Sequence, residues 1–291
     1  DVYKRQIHFI PAEIAKHSNF YKDVWTDKEK LYHYLSDYRI EKALLVCPSL
    51  DIDSDFIFPL YNNEIKRISI ENKKIIPAGI INLDIKDLSE QAKRLKDLGF
   101  RVISIFSSYK GKFRLKELLS FFEEIEKNDF CLFVHPQISN PIGFERINDP
   151  LLTPVLEYSF DLSMFMGLLL VERVPLRFNI KFIFSSLGGV ISFLKDRFDR
   201  VYTMLRKRNM VKELEQLPSE ILKKNIYVET SLAPVELIKL SMDTFGEDKV
   251  VFGSDYPVNS KIDNYLETLK ILGENLEEKI NYKNFISLFN E

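Results

Sequence analysis

The sequence predicts a single (β/α)8, or TIM, barrel over residues 1–291. Three observations carry this: eight short apolar runs of strand type, amphipathic helical segments alternating with them, and a length of 291 residues that suits one barrel. The 45% apolar and 29% charged content supports a sizeable core.

The runs are Ile7–Ile10, Ala43–Val46, Ile75–Ile81, Val102–Phe106, Cys131–Val134, Ile180–Phe184, Ile226–Val228 and Val250–Phe252. Each is apolar on both faces, as parallel strands covered by helices are. Among the helical segments, Leu88–Leu98 is stopped by Gly99. Leu115–Lys127 sets Leu118, Leu119, Phe122 and Ile125 on one stripe. Leu151–Val174, Val190–Arg206, Pro234–Phe245 and Tyr265–Leu272 read the same way. A loop with Pro136, Asn140, Pro141 and Gly143 delays the helix after the fifth run and is expected to lie over the site. A doubly wound sheet is the rival, but no glycine-rich phosphate loop follows the first run.

A net charge of −2 implies no basic face, so neither nucleic acid nor an anionic membrane is an expected partner. Cys47 and Cys131 read as reduced, buried thiols of a cytoplasmic protein. No apolar stretch of the ~18–20 residues that cross a bilayer is expected, and no signal segment.

Function must be argued from strand ends. His8 and Gln6, two residues apart, share one face of the first strand, here the barrel interior. The fifth strand ends in Phe133-Val134-His135-Pro136 and the eighth in Gly253-Ser254-Asp255-Tyr256-Pro257. Two imidazoles and a carboxylate at one mouth suit one divalent metal, Zn2+ first, with Mn2+ or Fe2+ as alternatives. A metal-bound water ionises near neutral pH, which would supply a nucleophile.

At these residues the sequence resembles the amidohydrolase-related (amidohydrolase 2) family of metal-dependent hydrolases and non-oxidative decarboxylases. His8-Phe9-Ile10-Pro11 resembles its opening motif, Phe133 to Pro136 its strand-five motif, and Phe252 to Pro257 its closing motif. The most distinctive stretch is Leu170 to Pro175 with Lys181 to Gly189, followed by Phe193, Arg197, Asp199 and Arg200. Asn284 with Leu288-Phe289 matches the terminal helix. The resemblance implies that His8, His135 and Asp255 bind the metal, that the substrate is a small carboxylate-bearing molecule of aromatic type, and that the chain forms a homodimer.

Two departures stand out. Gln6 occupies a position where the family carries His or Glu, and Gln is a much poorer ligand. Lys4 and Arg5 interrupt the apolar approach to the first strand, and Val2-Tyr3-Lys4-Arg5-Gln6 resembles a string found at broken ends of assembled reads. Residues 1–6 are therefore expected to be non-native. Ser186 stands where the family has its strand-six catalytic histidine, and a serine hydroxyl is no general acid or base near pH 7. Asp255 is the first deputy for the proton work and Glu229 the second. The alternative is a degenerate barrel that binds a ligand or partner without turnover.

Other polar residues are expected to be structural. His17 and His33 read as surface groups, and Glu13 as either a pocket residue or a solvated helix-start carboxylate. The Arg197, Asp199 and Arg200 group is expected to fix a helix by ion pairs. Gly188-Gly189 serves either anion binding or close packing.

Overall fold

The computed structural model describes residues 3–18, 21–48, 56–83, 87–109, 112–137, 149 and 151–289. Asn140, Pro141 and Gly143 lie outside the described residues. Tyr3–His8 (β1), Ile40–Val46 (β2), Ile75–Ile80 (β3), Val102–Phe106 (β4), Cys131–His135 (β5), Phe182–Phe184 (β6), Ile226–Glu229 (β7), Val250–Val251 (β8) and Gly253–Tyr256 (β9) form one parallel sheet. Its order is β8-β7-β6-β5-β4-β3-β2-β1-β9. The eighth predicted run is thus two strands of one barrel stave: β8 pairs with β7, and β9 with β1. The break falls at Phe252, whose N–H leaves the ladder to donate to Ile280 O at 3.1 Å. The fold is the expected TIM barrel.

Strand β1 runs from Tyr3 to His8 rather than from Ile7 to Ile10. Its backbone pairs with β2 as far as Tyr3, because a ladder needs only N–H and C=O groups. Beyond His8 the chain turns out of the ladder, and Ile10 N–H donates to Trp25 O at 2.9 Å.

Period two sorts each strand into two faces. Ile7, Leu45, Ile103, Leu132, Val134, Phe182, Phe184 and Val228 face the helices. Leu44, Val46, Ala78, Val102, Cys131, Phe133, Ile183, Tyr227 and Val251 fill the barrel interior, with Phe285, Leu288 and Phe289 of the terminal Asn284–Phe289 helix. The side-chain amide of Asn284 ties that helix to the stave of β8, donating to Val250 O at 2.7 Å.

The helices Leu88–Asp97, Leu115–Lys127, Ile191–Lys207 and Val235–Phe245 fall where the periodicity predicts them. Lys28–Asp37 and Ile57–Glu71 add two more. The predicted Leu151–Val174 helix is divided into a wide turn at Thr153–Glu157, a helix at Tyr158–Val171 and a short one at Val174–Arg177. Arg173, in the left-handed region at φ 61°, and Pro175 separate the last two.

One expectation needs correcting: Thr153–Val171 is, by length and composition, apolar enough to cross a membrane. Its apolarity has another use, since Leu162, Phe165, Met166, Leu169 and Leu170 are buried against the barrel. The same helix buries Asp161, which accepts hydrogen bonds from the hydroxyls of Ser107 and Ser108 just beyond β4.

Candidate active site

The alternation that fills the barrel with apolar side chains ends in polar ones at the C-terminal mouth. On the inward face Phe133 is followed by His135, Tyr227 by Glu229, and Val251 by Gly253 and then Asp255. Gln6 and His8 complete the ring on β1. These groups line a cavity of about 680 Å³, walled by Trp25, Pro136, Thr153, Pro154 and Tyr158, with Ser186 and Ser231 at its edge.

His8 and His135 are both buried, with ring centroids 5.1 Å apart and planes at 84°. Nδ1 of His8 donates to Val46 O at 3.0 Å, and Nδ1 of His135 to Pro136 O at 2.7 Å. A carbonyl only accepts, so each neutral ring carries its proton on Nδ1 and keeps a lone pair on Nε2. Backbone support of this kind orients histidines that bind metals. Burial first, then the neighbouring His8, brings the His135 pKa down to about 3, so its ring stays neutral at physiological pH.

Nε2 of His8 lies 3.2 Å from Asp255 Oδ1 and accepts from Gln6 Nε2 at 2.9 Å. Two acceptors facing each other at 3.2 Å call for a cation or proton between them. Donors ~2.0–2.2 Å from one ion stand at about this spacing. Gln6 Oε1 is buried without a hydrogen-bond partner. The donor chemistry therefore fits a divalent cation. The placement is incomplete, because among the described residues no three His, Cys, Asp or Glu side chains gather into a full cage.

Glu229 is fully buried at the end of β7. Its Oε1 accepts from Ser186 N–H at 2.7 Å and the Ser231 hydroxyl at 2.6 Å, and its Oε2 from Ser231 N–H at 2.7 Å. Burial holds its carboxyl above the usual range against these hydrogen bonds, and Asp255 adds to the rise. Ser186, Ser231 and Asp255 all have positive φ, at 49°, 40° and 55°. Such backbone is strained for a residue with a Cβ and collects at functional sites.

The structure thus brings His8, His135, Asp255 and Ser186 to one cavity, with Gln6 among them. His17, His33 and Glu13 are exposed, and Glu13 pairs with Lys16. Asp199 does fix a helix, but through Ser219, accepting from its N–H at 2.9 Å and its hydroxyl at 2.6 Å, rather than by ion pairs with arginines. Gly189 packs closely: a Cβ there would meet Ser159 O at 2.1 Å. Trp25, Tyr158 and Ser231 went unnoticed in the sequence. Ser231 had a readable signal, since it follows Glu229 by two at a strand end. Trp25 and Tyr158 reach the cavity from outside the strands.

A family model described as Amidohydrolase matches residues 74–286. The 2-amino-3-carboxymuconate-6-semialdehyde decarboxylase of Dictyostelium discoideum is 27% identical over 207 residues, covering 67% of this chain and 55% of its own. The chain thus spans about half the length of that curated relative. Two solved structures share the fold. The 5-carboxyvanillate decarboxylase of Sphingomonas paucimobilis has a TM-score of 0.82 at 13% identity, over 99% of this chain and 98% of that one. The 5-carboxyvanillate decarboxylase of Novosphingobium aromaticivorans, solved with manganese and a nitrobenzoic acid, has a TM-score of 0.84 at 17% identity, over 100% and 96%. With the family model spanning most of its length, the chain belongs to the amidohydrolase family.

Proposed function

We propose that this chain is a metal-dependent non-oxidative decarboxylase of a small, carboxylate-bearing aromatic substrate, with residues 1–291 acting as one barrel unit. The observation that carries this is the pair His8 Nε2 and Asp255 Oδ1, facing at 3.2 Å while Val46 O holds the other side of the imidazole. His8, His135 and Asp255 would hold the ion, which when bound supplies positive charge that polarises the substrate's carboxylate.

The cavity's own charge supports this assignment. Its described lining includes the carboxylic acids Asp149 and Asp255 but no lysine or arginine. An anionic substrate entering such a pocket needs a cation supplied from elsewhere. Trp25 and Tyr158 give the pocket aromatic walls suited to a planar ring. Burial, with Glu157 beside it, pushes the Tyr158 phenol up to about 12, so it remains a hydrogen-bond donor. Hydrolysis is the second reaction open to the same donor set. Manganese, present in a neighbour's structure, joins zinc as the ion to test. A cytoplasmic setting accords with the buried free thiols of Cys47 and Cys131. A homodimer accords with the exposed Phe160, Met164 and Phe193.

Elemental mass spectrometry of the purified chain beside His135→Ala tests the reading. Near-stoichiometric Mn, Zn or Fe in the wild type, lost in the variant, is expected, followed by CO2 release from 5-carboxyvanillate or 2,6-dihydroxybenzoate. No metal after reconstitution would leave the degenerate barrel, motivated by Gln6 and Ser186, as the better account.

A further inference from the structure

At β6, Ser186 takes the place of an expected proton-handling histidine, yet the structure does not leave that corner of the cavity without an acid. Ser186 is exposed to the cavity, and its hydroxyl lies 3.4 Å from the Ser231 hydroxyl. Ser231 is half-buried, and its hydroxyl lies 2.6 Å from Glu229 Oε1. Three oxygens thus run in series from open cavity to a fully buried carboxyl.

We infer that Glu229 is the proton store of this site, exchanging its proton with the cavity through the hydroxyls of Ser231 and Ser186. Each hydroxyl accepts and donates at once, so a proton can pass along the series without either serine titrating. The inference rests on the decarboxylase reading for its use. There the C–C bond breaks with its electron pair left on the substrate carbon, and CO2 departs. The carbon takes a proton from Ser186, Ser186 from Ser231, and Ser231 from Glu229, which ends as carboxylate and is reprotonated by water.

The surroundings of Glu229 suit a stored proton. Its hydrogen-bond partners, the N–H groups of Ser186 and Ser231 and the Ser231 hydroxyl, carry no charge; as donors they favour the carboxylate, and burial outweighs them. Burial raises its carboxyl, and the neighbouring Asp255 carboxyl adds to the rise. Its backbone bonds tie the left-handed residues Ser186 and Ser231 together, so the same carboxyl fixes the geometry of the series. Glu229 acts through the serines and is therefore a positioning and supplying residue, with Ser186 the group that meets substrate.

Infrared difference spectra of the chain, wild type against Glu229→Gln at neutral pH, test this without metal or substrate. A protonated-carboxyl stretch is expected in the wild type, lost in the variant and shifted in D2O; its absence from the wild type would overturn the inference. Glu229→Asp, which should displace the band rather than remove it, serves if the Gln variant does not fold. Ser231→Ala should keep the band but slow its hydrogen–deuterium exchange at least tenfold, and an unchanged rate would overturn the route. Because neither measurement uses metal or substrate, failure of the relay and failure of the decarboxylase reading are told apart.

Discussion

Glu229 and Gly253 share one space: a Cβ on Gly253 would lie 1.6 Å from Glu229 Oε2 and 3.2 Å from its Cβ. The glycine that opens β9 is thus the condition for burying a carboxyl between β7 and β9. Gly253→Ala should destabilise by at least the ~1–3 kcal/mol typical of overpacking, because hydrogen bonds to two backbone N–H groups keep Glu229 from moving aside. Glu229→Asp should recover part of that loss in the double variant, a non-additivity that chemical denaturation would detect. Simple addition of the two losses would mean that the two side chains do not compete.

Burial of Glu229 also sets a pH dependence. Its carboxyl is raised in the folded state, first by desolvation, and an acid raised on folding favours folding most while it is protonated. Its contribution is therefore fully present below the ordinary carboxylate range and is lost as pH rises through the folded value. In metal-free protein, Glu229→Gln should remove this decline. Urea midpoints measured at a series of pH values should show a flatter profile for the variant, and parallel profiles would count against a buried, raised acid.

If the mouth holds a cation, position 6 should govern how tightly. Gln6 Nε2 donates to the same His8 Nε2 lone pair that a metal needs, while Gln6 Oε1 is buried unpaired. Gln6→His removes that competition and adds a borderline-soft donor on the inward face. Metal affinity should rise by at least the roughly 10–100-fold that supporting groups contribute at such sites. Competition with a chromophoric chelator measures it, and unchanged affinity would take position 6 out of the metal's surroundings.

The barrel was legible because strands covered on both faces leave short apolar runs, and the mouth because His8, His135 and Asp255 stand at or near the C-terminal ends of three strands. The helix Ile57–Glu71 was harder to see: it mixes buried Asn62 and Ser69 with Ile65 and Ile68 on its inner face, which blurs the apolar stripe. Asn62 is buried because it bonds both ways with Ile80 of β3, at 2.9 and 2.8 Å, a tertiary pairing no local pattern announces. The split of the eighth stave was likewise hidden, since it depends on Phe252 donating to the distant Ile280. At the site, the link from Ser186 to Glu229 joins residues 43 apart in sequence, and only the closed barrel brings them together.

The end of the barrel opposite the mouth should carry stability without chemistry. Phe285, Leu288 and Phe289 close the interior beneath Val102, Cys131 and Ile183. Two cations hold the end of their helix, Arg101 donating to Phe289 O at 2.5 Å and Lys181 to Leu288 O at 2.6 Å, where a helix C-terminus favours positive charge. Phe285 is 2% exposed, so Phe285→Ala should cost about 3–5 kcal/mol, the usual range for emptying a buried phenylalanine site. Barrels keep stability and catalysis at opposite ends. Below its lowered melting temperature the variant should therefore bind as much metal as the wild type. Thermal unfolding and elemental analysis on the same preparation check both halves; loss of metal from still-folded protein would show that the plug and the mouth are coupled through the barrel core.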